Sequence, residues 1–73
     1  MSTTEIPARA RVWNARTSKG LSQSELARQV EIDQADISRV ERGWIPPVEI
    51  QERIATALES SVESLFGAHR EAV

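Results

Sequence analysis

Seventy-three residues allow one small domain, because compact domains seldom fall much below about 50 residues and two would need roughly twice this chain. The absence of cysteine excludes disulfides and thiolate metal sites, and a single histidine, His69, near the end leaves no His cluster for zinc and no Ser/His or Cys/His pair for catalysis, so neither an enzyme nor a bound cofactor is expected. The formal charge of -2 argues mildly against a nucleic-acid binder, but it is unevenly spread: Arg9, Arg11, Arg16, Lys19 and Arg28 against Glu5 and Glu25 leave residues 1–30 at +3. Residues 31–47 carry -2 and the remainder -3, so one end of the molecule can still face an anion. A composition 40% hydrophobic, 27% charged and 4% aromatic, with three glycines, suits an all-α domain better than disorder or a sandwich. No window approaches the roughly 18–20 apolar residues of a membrane span, and Met1 to Glu5 lack the basic and apolar regions of a secretory signal, so a cytoplasmic location is expected.

Five helical segments follow in chain order. Thr4 can cap the first, with Glu5 and Pro7 in its opening turn, and the segment runs to about Ser18 before Lys19 and Gly20 end it. Ala8, Val12 and Ala15 share one face, flanked by Trp13 and Arg16, and Trp13 is expected to pack. Ser22 and Glu25 have the spacing of a capping box that starts the second helix, with Leu26, Ala27 and Val30 inward and Leu21 as a hydrophobic staple. Asp33 is the N-cap expected for a third helix from about Gln34 to Arg42, stopped by Gly43.

Trp44, Ile45, Pro46 and Pro47 then form a rigid loop, and Pro47 suits the first position of a fourth helix whose buried stripe is Ile50, Ile54 and Leu58. Ser60 and Glu63 have capping-box spacing for a last short helix through Val62, Leu65 and Phe66, closed by Gly67. One domain over 1–67 and a frayed tail over 68–73 are expected.

Two short helices joined by a tight turn suggest a helix-turn-helix over about 22–42, which directs attention to the outer face of the third helix. At about 100° per residue, Ile37, Val40 and Glu41 cluster inward, while Ala35, Arg39 and Arg42 lie opposite with Ser38 beside them. Gln34 and Asp36 flank that stripe near the helix N-terminus, the end that points at base edges in such motifs.

Residues 20–43, with Gly20-Leu21-Ser22-Gln23, Leu26-Ala27, Ile37-Ser38 and Glu41-Arg42-Gly43, resemble the helix-turn-helix of the lambda repressor and Cro family, also called the xenobiotic response element family. The likeness extends over about residues 8–67 through Ala57-Leu58 and Val62-Glu63-Ser64-Leu65-Phe66. It implies a five-helix domain that binds operator DNA as a homodimer on an inverted repeat. By the same resemblance Gln23 contacts a phosphate, Gln34, Ala35 and Arg39 read bases, Ser38 and Arg42 reach the DNA backbone, and Arg16 with Glu41 forms an ion pair tying helix one to helix three.

Four departures qualify it. Glu31 and Glu59 stand where the family has glycine, which implies left-handed strain of roughly 1 kcal/mol at each. The loop after Gly43, often basic in the family, is uncharged here, and Asp36 sets a negative charge beside the reading surface. Trp44, Ile45 and Phe66 are the candidate dimer contacts. The expected function is a small Cro-like repressor reading the major groove of double-stranded DNA. The alternative is a protein-interaction module, such as an antitoxin or the partner of another regulator, with weak or no DNA binding of its own.

Overall fold

The computed structural model describes residues 8–67 and contains five helices: α1 (Ala8–Ser18), α2 (Gln23–Val30), α3 (Gln34–Glu41), α4 (Val48–Ala57) and α5 (Val62–Phe66). The Thr4 cap and the 68–73 tail lie outside the described residues. α2 packs on α3 and α4, α1 on α3 and α5, and α4 on α5. Between them Val12, Leu26, Ala27, Val30, Ile37, Val40, Ile54, Ala55, Leu58, Leu65 and Phe66 form one core. The inward residues of α2 and α3 come from both helices at helical spacing, so hydrophobic burial sets which face each shows outward.

The first four helices end in one way. After each, a residue of positive φ turns the chain: Gly20 (75°), Glu31 (68°), Gly43 (117°) and Glu59 (55°). The amide of the following residue then reaches back across the turn, from Leu21 to the Arg16 carbonyl, Ile32 to Ala27, Trp44 to Arg39 and Ser60 to Ala55. These are the paired bonds of a Schellman stop, which satisfy carbonyls left without helical partners and return the next side chain onto the last turn. At Glu31 and Glu59 an L side chain occupies a conformation that glycine adopts without cost, so the strain expected from the sequence is present in the backbone.

Several start signals differ from the sequence expectation. The α2 capping box forms as drawn, with Ser22 Oγ accepting from the Glu25 amide at 3.0 Å and Glu25 Oε1 accepting from the Ser22 amide at 2.8 Å. Asp33 occupies the α3 cap position with extended backbone, but its side chain makes no capping bond. Pro47 is the cap of α4 rather than its first residue. At α5 the cap moves one residue to Ser61, whose Oγ accepts from the Ser64 amide at 3.0 Å, so Ser60 and Glu63 do not form the expected box.

Candidate nucleic-acid interface

The geometry of α3 is set from its inner end. Glu41 leaves the last turn toward the junction of three helices, where its Oε2 accepts from Arg16 Nε at 2.6 Å and its Oε1 accepts from Arg16 Nη2 at 3.1 Å. Arg16 also donates through Nη1 to the Leu21 carbonyl at 2.9 Å, in the turn before α2. The side chains are only 10% and 7% exposed, so this is a forked ion pair sheltered from water rather than a surface contact. Gln23 adds a third link, its Nε2 donating to Glu41 Oε1 at 2.9 Å. The first residue of α2 and the last of α3 are thereby held together, which fixes the tilt of one helix against the other.

Gln23 thus has a structural partner that the sequence did not announce. Its amide nitrogen carries two protons, and Glu41 takes one. The neighbouring capping box favours the Glu25 anion: bonds from the Ser22 backbone and then from the Ser22 hydroxyl outweigh desolvation, and with the smallest contribution from Arg28 they hold its carboxyl below the ordinary value of 4.5.

Outward, α3 presents Gln34, Ala35 and Arg39 exposed, with Arg42 exposed just beyond and Ser38 half-buried between them. Arg42 Nη1 donates to Ser38 Oγ at 2.7 Å, one turn back. Arg39 is held on two sides. Its Nη1 lies 3.4 Å from Asp36 Oδ1, and its guanidinium carbon sits 4.4 Å from the centroid of the Trp44 ring. The second contact follows from the helix stop: Trp44 is the residue whose amide bonds the Arg39 carbonyl, so its side chain is returned over that same residue. The signal was present in Arg39, Gly43 and Trp44 at offsets of four and five, and became legible only with the turn geometry.

Two apolar expectations are corrected. Phe66 is 2% exposed and belongs to the core, because the single turn of α5 points it against α1 and α4, so it is not available as a dimer contact. Trp13, expected to pack, is 50% exposed on α1. Trp44 and Ile45 are half-buried against the core, and the loop that carries them is pinned where the buried Gln51 Nε2 donates to the Pro46 carbonyl at 2.8 Å. Among the described residues no group of His, Cys, Asp or Glu could hold a metal ion, and no helix is long and apolar enough to cross a membrane.

Residues 8–65 match the family described as helix-turn-helix domain. The chain belongs to the helix-turn-helix family. Solved structures place this helix-turn-helix domain among regulators of the lambda repressor and Cro type. It is 28% identical to the matched chain of a SinR protein/SinI protein complex, with a TM-score of 0.76, covering 90% of this chain and 66% of that one. It is 30% identical to SinR, a master regulator for biofilm formation solved in complex with DNA, with a TM-score of 0.74 over 80% of this chain and 95% of that one. A hypothetical transcription factor from Neisseria is also 30% identical, with a TM-score of 0.69 and coverage of 97% and 91%. Among curated protein sequences no match was found. The all-α fold and these likenesses make the helix-turn-helix domain a DNA-binding transcriptional regulator.

Proposed function

We propose that the chain is a small sequence-specific repressor that lays α3 in the major groove of double-stranded DNA and acts without catalysis or a cofactor. Gln34, Ala35 and Arg39 face base edges in this reading, Ser38 and Arg42 reach the sugar-phosphate backbone, and Gln23 with the free amides of the α2 start takes a phosphate. The observation that carries it is the exposed stripe of α3, Gln34, Ala35 and Arg39, held at a fixed tilt beside the N-terminus of α2 by the Arg16–Glu41–Gln23 cluster. A homodimer on an inverted repeat matches the two-fold symmetry of such sites, with half-sites about one helical turn apart and with Ile45 as its contact. The cytoplasm is the compartment in which such a repressor would act.

A protein partner is the second reading. The uncharged stretch from Trp44 to Val48, with Val48 exposed, favours it, as does the occurrence of one similar chain in a complex of SinR with SinI.

Fluorescence anisotropy with random and library-selected duplexes across a salt series separates the two. Groove binding gives a selected palindrome preferred over random sequence, and an affinity falling by roughly 0.9 log units per log unit of salt for each phosphate neutralised. A weak, salt-independent response at low ionic strength would reject the repressor reading in favour of the protein partner.

A further inference from the structure

We infer that Trp44 is a positioning residue for base recognition: its ring, with the Asp36 carboxylate on the other side, holds the Arg39 guanidinium in the one orientation from which it selects guanine. The inference rests on the proposed entry of α3 into the major groove. An arginine that reads guanine must present two N–H groups in one plane to O6 and N7. A free arginine at the surface samples many rotamers and reaches phosphate as easily as a base, which gives affinity without discrimination. Arg39 is not free in that sense, although its side chain is 51% exposed.

The guanidinium carbon lies 4.4 Å from the Trp44 centroid, within the range of a cation–π contact, and one terminal nitrogen lies 3.4 Å from Asp36 Oδ1. The ring restricts the guanidinium from one face, and the carboxylate draws one edge back toward the helix. The remaining N–H groups are left for a ligand. Asp36 also repels phosphate, which makes a backbone contact at this position the less favourable use of Arg39. The platform is itself rigid. Trp44 is set by the Schellman stop at Gly43, its edge packs on the core, and the Gln51–Pro46 bond pins the loop two residues on. In a loop that carries no charge, Trp44 therefore has a use of its own, as support for the arginine beside it.

Two measurements test this. In a Trp13→Phe chain, Trp44 is the sole fluorescent indole, and removing the guanidinium with Arg39→Ala is expected to raise its acrylamide quenching; an unchanged quenching constant would overturn the stack without any DNA being present. In the second, wild type, Trp44→Phe and Trp44→Leu are titrated with the selected duplex, with its single guanine-to-adenine variants and with random duplex. Trp44→Leu is expected to lose about two- to fivefold of the preference for one guanine, the fold-change matching an exposed cation–π contact, while binding to random duplex is unchanged. Trp44→Phe is expected to retain most of the preference, and if the leucine variant fails to fold by circular dichroism the quenching measurement, which leaves Trp44 in place, carries the test. In an Arg39→Ala background Trp44→Leu should have no further effect on discrimination. A full preference surviving in Trp44→Leu, or equal losses on specific and random duplex, would overturn the positioning role alone. A wild-type chain with no sequence preference, its quenching result intact, would instead overturn the proposed function.

Discussion

Arg16→Met removes the charge at the junction of three helices while keeping most of the aliphatic stem, so it isolates the ion pair from simple packing loss. Glu41 would lose both Nε and Nη2 and keep only the Gln23 amide, and the Leu21 carbonyl would lose its Nη1 donor. Breaking a buried pair from one side costs about 3–5 kcal/mol, whereas an exposed pair is worth about 0.2–1 kcal/mol. Side-chain exposures of 10% and 7% place this pair with the former. A domain of this length has a total stability of about 4–11 kcal/mol, so the variant stands to lose about a quarter of it or more. At about 4–8 °C per kcal/mol, the melting temperature should fall by at least about 12 °C, read by circular dichroism at neutral pH. The double variant Arg16→Met with Glu41→Met should recover part of that loss, because two apolar groups leave no unpaired charge behind. A fall of less than about 4 °C in Arg16→Met would mean that water already solvates the pair and would refute the burial argument.

Two further outcomes follow from the backbone and the caps. Glu31→Gly relieves a left-handed L residue of roughly 1 kcal/mol of strain at a cost of about 0.4–1 kcal/mol in unfolded-state entropy, so a net gain of up to about 0.6 kcal/mol should raise the urea midpoint with an unchanged slope; a lowered midpoint would show that Glu31 is not strained. Glu25 is held below its ordinary value of 4.5, so its contribution is full above that value and is lost as pH falls through the lower folded-state value. The gap in melting temperature between wild type and Glu25→Ala should therefore narrow on acidification, and a gap that stays constant from neutral to strongly acid solution would contradict the capping-box assignment.

What was legible in the chain depended on whether a residue's role is set locally. Leu26, Ala27 and Val30, and Ile37 with Val40, announce their inward faces because apolar side chains repeat at helical spacing. The Ser22–Glu25 box was equally plain, since its bonds span three residues of one turn. Ser60 and Ser61 are chemically the same cap, and only the backbone register after Glu59 chooses between them. Phe66 sits in a helix of a single turn, too short for periodicity to separate an inner from an outer face. Pro47 differs from the expectation by one position, which is the margin within which helix ends are defined. The support of Arg39 by Trp44 and the bond from Gln23 to Glu41 lay beyond the sequence for another reason: each joins residues brought together by a helix stop or by helix packing.

Because Glu41 anchors α3 through its buried end, the angle at which that rod leaves the body is independent of the chemistry displayed along its outer edge. Gln34, Ala35 and Arg39 can each be exchanged without disturbing the hinge that aims them. In the proposed reading, a duplicated copy of this chain could therefore drift to a new target sequence by changing a few letters on one strip, while the clasp beneath keeps the mount in alignment. The same separation makes the strip a compact place to graft alternative reading residues.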